Sequence, residues 1–348
     1  MVFFKTASVA GILAIFDAAS VAAQNMSYGA NNFYRSDNVT LWPITFPTLY
    51  QTTIAANLFT PDALDYNASH PAIIVGHPMG AVKEQAANLY ATKLAEQGFV
   101  TVSLDLPFWG LSEGSPDNSA SPEMYAEAFS AAVDFLGMQD YIDRSAIGGV
   151  GICGSGSFMI SAAKLDPRIS AVATSTMYDM GQLARTGLNH TQTITQRQQI
   201  IAEAARRRWA VLEGAETAYT DGTPVHLTAN SSAVDREFYD FYRTSRGEYT
   251  PPGRFPNTTT MRTVVSHTKF DNFYPFHDLD TISPRPLLFV HGDRAHSREF
   301  SQDAYERAAE PKELLWIPNA SHTDLYDRVE LIPFARLTQF FRTHLGGK

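Results

Sequence analysis

Apolar and polar positions alternate along this chain in two distinct periods, and the order of those periods predicts the architecture. Residues Leu41 to Phe59 carry alternating β-prone segments. The run from Pro71 to Gly76 (PAIIVG) is short and continuously apolar, as in a strand covered on both faces of a parallel sheet. A helix is predicted from about Lys83 to Gln97, a strand over Phe99 to Leu104, a helix over Pro122 to Gly137 and a strand over Ser145 to Ile152. Ser157 to Leu165 reads as a helix and Ile169 to Thr174 as a strand. Pro286 to His291 and Glu313 to Ile317 are the last two strands, and Leu331 to His344 closes as a helix. Such alternation specifies an α/β fold with a mostly parallel, doubly wound sheet. The pattern breaks between about Asp179 and Asp278. This polar, partly helical stretch is expected to be an inserted cap, rich in aromatics such as Phe238, Tyr242 and Phe273. Its Arg206-Arg207-Arg208 run suits a solvated helix face.

Composition narrows the class. With 348 residues the chain can bury one large core beneath such a cap, so the expected organisation is a single domain over residues 24–348. A formal charge of −9 argues against nucleic acid and anionic membranes as partners, because both require clustered positive charge. Residues Met1 to Ala23 have the layout of a signal peptide: Lys5, an apolar stretch over Val9 to Phe16, and Val21-Ala22-Ala23 as a cleavage site. A short buried N-terminal helix is the alternative. Asn-X-Ser/Thr sequons at Asn25, Asn38, Asn67, Asn189, Asn230, Asn257 and Asn319 exceed chance, which favours secretion and N-glycosylation. The one Cys cannot pair within the chain.

That cysteine sits in chemically suggestive company. Ala146 to Ser157 (AIGGVGICGSGS) is a strand ending in a Gly-rich turn that enters a helix, with Gly151 and Ser155 two residues either side of Cys153. Small residues at those positions permit the tight turn of a nucleophile elbow. A helix start also aims N–H groups at the sulfur, from which a stabilised thiolate is expected. Ser155 is the rival nucleophile. His322 lies in the loop after the last strand, placed to serve as general base, and Asp293 follows PLLFVH. The chain order nucleophile, acid, base is that of α/β hydrolases. Asp293 stands two residues earlier than the usual acid, so Asp179 and Asp324 stay open as alternatives. An oxyanion hole is expected from the backbone N–H of Gly154 and one from His77-Pro78-Met79-Gly80, with Met79 or Gly80 as donor because Pro78 has none. The ten His and single Cys show no metal-ligand spacing, no phosphate-cradling loop is present, and no cofactor is expected.

The segments HPMGAVKEQ, GICGSG, DPRISAVAT, MYDMG, FSQDAYERAAEPKEL and SHTDLYD resemble those of the α/β hydrolases grouped with fungal polyketide transferases. More distantly they resemble dienelactone hydrolases, whose elbow also carries Cys. The resemblance spans about residues 40–345, supports Cys153 and His322 by position, and implies hydrolysis or transfer of an ester or thioester acyl group. A secreted hydrolase acting on a small acyl substrate is the leading expectation. Acyl transfer to an alcohol and a non-catalytic ligand-binding role on the same scaffold are the alternatives.

Overall fold

The computed structural model describes residues 33–251, 253–254 and 260–346. The expected signal peptide and the sequons at Asn25 and Asn257 lie outside the described residues. Eight strands form one sheet: β1 (Val39–Pro47), β2 (Thr53–Pro61), β3 (His70–Gly76), β4 (Val100–Leu104), β5 (Ile142–Ile152), β6 (Ile169–Ser175), β7 (Leu287–Gly292) and β8 (Lys312–Ile317). Their spatial order is β1-β2-β4-β3-β5-β6-β7-β8. β1 and β2 form an antiparallel hairpin and β2 joins β4 antiparallel, while β3 to β8 are all parallel. The alternating β-prone segments over Leu41 to Phe59 are the two strands β1 and β2 around a turn in which Gln51 has φ 62°.

The helices are α1 (Ala86–Ala95), α2 (Pro122–Gly137), α3 (Ser155–Leu165), α4 (Met180–Thr186), α5 (Ile194–Leu212), α6 (Ala233–Tyr242), α7 (Val264–His267), α8 (Arg298–Arg307), α9 (Asp324–Asp327) and α10 (Phe334–Leu345). Successive residues of β5 show why both faces are covered. A Cβ on Gly148 would fall 2.8 Å from the Phe341 ring of α10, whereas one on Gly149 would fall 2.4 Å from the Met159 sulfur of α3. Side chains alternate across a strand, so α10 and α3 press on opposite faces, and glycine lets both come close. α1 packs beside α10 and α2 beside α3. The central strands are correspondingly dry: Ile73, Ile74 and Val75 have no solvent exposure, each contributing about 1.5–3 kcal/mol of burial.

α8 is absent from the sequence-based expectation. It covers β7 and β8 with a single turn-spaced row, Phe300, Ser301 and Ala304, too small an apolar stripe to announce a helix. Between β6 and β7 the chain leaves the sheet and forms α4 to α7. Two features fix the start of each long helix there, since Thr193 and Ser232 each make a reciprocal capping box with the third helical residue. Arg206, Arg207 and Arg208 lie on the exposed side of α5, where Glu203 pairs with the first two.

Candidate active site

Six loops meet at the carboxyl ends of the parallel strands β3 to β8, where open α/β sheets place their ligand crevices. β5 ends at Ile152 and α3 begins at Ser155, leaving Cys153 to make the turn with φ 53°. A non-glycine residue in that region costs about 1–3 kcal/mol, and surrounding contacts hold it there. The Cys153 N–H donates to Ser175 O at 3.0 Å, and its carbonyl accepts from Gly156 N and Tyr178 N. Gly151 is required on the inside of the bend, since a Cβ would lie 2.4 Å from Ser155 O.

The loop after β3 supplies the opposite wall. Ala81 N donates to Pro78 O across a turn in which Gly80 takes φ 86°, a value suited to glycine, and this fixes the direction of the Met79 N–H. The N–H groups of Met79 and Gly154 lie against each other beside the Cys153 sulfur and both favour its charged form. A carbonyl oxygen placed there would meet two preset donors, the geometry that stabilises an oxyanion. His77 has no catalytic freedom: its Nδ1–H donates to Pro78 O and its Nε2 accepts from Leu106 N. Beneath this loop lies a buried ion pair. Asp105 accepts from Lys83 Nζ at 2.7 Å and from the Lys83 and Leu111 N–H groups, while Glu84 also reaches Lys83 Nζ. The segment Asp105 to Gly110 thus anchors the loops after β3 and β4 to each other.

His322 is completely buried. Its Nε2 lies 2.9 Å from the Tyr326 hydroxyl, which also stands close enough to the Cys153 thiol to perturb its ionisation. A phenol therefore stands between sulfur and imidazole. On the other side of the ring, Nδ1 meets Ser297 Oγ at 2.5 Å and Thr176 Oγ1 at 3.0 Å. Ser297 Oγ continues to His291 Nε2 at 2.9 Å, and His291 Nδ1 to Ser301 Oγ at 2.6 Å. One set of donors satisfies the whole row: His291 Nδ1–H to Ser301, Ser297 O–H to His291, His322 Nδ1–H to Ser297, and Tyr326 O–H to His322. Burial holds both imidazoles neutral, pulling His291 down to about 3 and His322 well below the usual histidine range. The edges of Tyr178 and Phe238 stand against the His322 ring.

No carboxylate touches His322 among the described residues. Asp293, expected as the acid, accepts instead from the Asn319 N–H at 2.8 Å. Asp179 caps α4 by accepting from Gln182 N, and burial pushes its carboxyl up to about 6. Asp324 accepts from Ser321 N and pairs with Arg328. The chain geometry explains the absence: Asp293 immediately follows β7, too early to turn back beneath the ring, and the residue that arrives there is Ser297. Ser155, the rival nucleophile, donates its hydroxyl to His77 O at 2.5 Å. The expectation of a stabilised thiolate is also corrected. Burial pushes the Cys153 thiol up to about 11, and the neighbouring Tyr326 hydroxyl and Gly154 and Met79 N–H groups only partly oppose it. At neutral pH this favours the thiol over the thiolate.

Ser297, Thr176 and His291 leave no mark in the sequence, because hydroxyl and imidazole partners of a buried base have no spacing signature comparable to that of a carboxylate. Tyr326 alone has a usable one, four residues after His322 and hence one helical turn away. The segment between β6 and β7 is tied to this centre through Glu237 of α6. Its carboxylate accepts from Thr323 N at 2.8 Å and meets His296 Nδ1 at 2.9 Å, while His296 Nε2 meets the Tyr178 hydroxyl at 2.5 Å.

Cys153 opens into a cavity of about 330 Å³, walled by Met79, Tyr178, Met180, Phe238, Tyr242 and Tyr326 among others. Two larger surface hollows, of about 740 and 820 Å³, contain none of these groups. Size alone therefore does not mark the site; the nucleophile elbow does.

Comparison with known proteins agrees with the fold. Residues 84–332 match the family described as "Alpha/beta hydrolase family". An uncharacterized protein of Pseudomonas aeruginosa, PA2218, is 43% identical over 303 residues, covering 87% of this chain and 80% of its own. Its crystal structure has a TM-score of 0.85, covering 92% of this chain and 98% of that one at 41% identity. Thiohydrolase aneE of Aspergillus aculeatus is 25% identical across 74% of this chain and 80% of its own, and acyltransferase drtE of Aspergillus calidoustus is 23% identical across 81% and 87%. The chain belongs to the alpha/beta hydrolase family and is an enzyme of that class.

Proposed function

We propose that this enzyme hydrolyses a carboxylic ester or thioester of a small acyl substrate through an acyl-enzyme on Cys153. The observation that carries it is the sulfur on a left-handed elbow beside two backbone N–H groups, with the Tyr326 phenol between it and a neutral, buried imidazole. The thiol proton passes to the Tyr326 oxygen as the Tyr326 proton passes to His322 Nε2, and the sulfur bonds the acyl carbon. The former carbonyl oxygen becomes an oxyanion held by Met79 and Gly154 N–H, each donor contributing about 3 kcal/mol. Collapse expels the alkoxide or thiolate, which recovers the proton from His322, leaving an S-acyl cysteine. Water then adds through the same relay, yielding the acid and the free thiol. Ser297 and Thr176 fulfil the orienting role of an acid, holding His322 in the tautomer that leaves Nε2 basic. Asp293 supports the same strand ends through Asn319.

Transfer of the acyl group to an alcohol is the second reading, favoured by the likeness to acyltransferase drtE. The segment between β6 and β7 acts as the cap. Secretion is part of the proposal, supported by the surface position of the sequon residues Asn38, Asn67, Asn189, Asn230 and Asn319. Cys153→Ala, assayed on short aryl esters and thioesters with and without an alcohol acceptor, tests the scheme. Loss of turnover by at least a thousandfold is expected; unchanged turnover would rule it out. The acid-to-ester product ratio separates hydrolysis from transfer.

A further inference from the structure

The cavity beside Cys153 contains one cation that the proposed chemistry does not use. Arg262 lines it. Its backbone is fixed by a two-way contact with Thr220, whose N–H donates to Arg262 O at 2.7 Å and whose Oγ1 accepts from Arg262 N at 3.1 Å. Its Nε is buried with no hydrogen-bond partner. The ionisable groups near its charge are the Tyr125 phenol, the Cys153 thiol and the His267 imidazole, none of them a carboxylate. Asp235, on the same cavity wall, spends its carboxylate on the Ser232 N–H at the start of α6. A buried guanidinium stays charged, so enclosing one without an anion is costly. Burial indeed pulls Arg262 below the usual arginine range, and holds the adjacent His267 neutral, down to about 4.

Unpaired charge on a half-buried guanidinium that shares a cavity with a nucleophile is explained when the missing counter-ion arrives with the ligand. We infer that Arg262 binds a carboxylate carried on the substrate, so that the preferred acyl group bears an acid at its far end. Resting on the proposed acyl chemistry, this names its substrate class. The guanidinium fork suits a carboxylate, which can take two parallel N–H bonds. The chain's formal charge of −9 does not oppose this, because surface charges are screened beyond about 8 Å at physiological salt whereas a buried pair is not.

The test compares length-matched p-nitrophenyl esters, the hemisuccinate against the butyrate and the hemiglutarate against the valerate. Wild-type enzyme is expected to favour the acid-bearing ester in kcat/KM, and Arg262→Gln to lower that preference between about tenfold and a hundredfold. Arg262→Lys should keep part of it. An unchanged ratio in Arg262→Gln overturns the inference. Titration calorimetry on Cys153→Ala with glutarate and with neutral glutaramide covers a variant that fails to fold or an enzyme that turns over neither ester. Binding of glutarate alone supports the role of Arg262, and equal or absent binding of both refutes it. Loss of the nucleophile assignment, by contrast, would appear as unchanged turnover in Cys153→Ala with the ester preference intact.

Discussion

Replacing Tyr326 with Phe removes one oxygen from between Cys153 and His322 and nothing else. Because burial lifts the thiol to about 11, the fraction ionised at pH 7 without help is about one in ten thousand. That is the largest penalty the relay can remove, a factor of about 10⁴, and it coincides with the upper end of what a positioned proton acceptor contributes, about 10² to 10⁴. Tyr326→Phe is therefore expected to lower kcat/KM on short esters by about 10² to 10⁴ at pH 7, with the deficit shrinking as pH rises toward the thiol's own pKa. The structural cost is small by comparison. The phenyl ring keeps its packing against Phe241 and Tyr242, and losing one buried hydrogen bond to His322 costs about 1 kcal/mol. Stopped-flow acylation rates between pH 6 and 10, beside a thermal unfolding curve, separate chemistry from stability. Turnover equal to or above wild type would refute the relay, because His322 would then reach the sulfur unaided.

Two further outcomes follow from the same geometry. Alkylation of Cys153 by iodoacetamide should accelerate as pH rises toward about 11 with no plateau near neutrality, since a raised thiol pKa delays the thiolate; a plateau below pH 8, measured by labelling rate, would contradict the thiol resting state. Asp105→Ala should destabilise the fold by about 3 kcal/mol in denaturant unfolding, because Lys83 is only 3% exposed and would be left to Glu84 alone; a change under about 1 kcal/mol would show that the pair is dispensable.

What could be read from the chain was what periodicity and chain order encode. β3 to β8 and the helices α1, α2, α3 and α10 show themselves because strands covered on both faces form short apolar blocks such as PAIIVG, and their order fixes the parallel sheet. The elbow was visible for a related reason: strand, glycines and helix are adjacent in sequence, so Cys153 and its two N–H donors are local. The surroundings of His322 were not, since Ser297, Thr176 and Tyr178 come from separate strand ends and meet only in space. A motif rule that looks for Asp at the acid position reports Asp293 whatever its side chain touches. The thiol's ionisation was misjudged because helix-start dipoles are visible in sequence and burial is not. Arg262 carried no signal at all until the cavity put it opposite Cys153.

The proposed reaction requires that the sulfur of Cys153 becomes acylated. Intact-mass and peptide-mapping spectrometry of enzyme quenched during turnover of a slow thioester should find one acyl group, located on the peptide containing Cys153 and absent from Cys153→Ala. An acyl group on Ser155, or undiminished turnover with the cysteine removed, would contradict it.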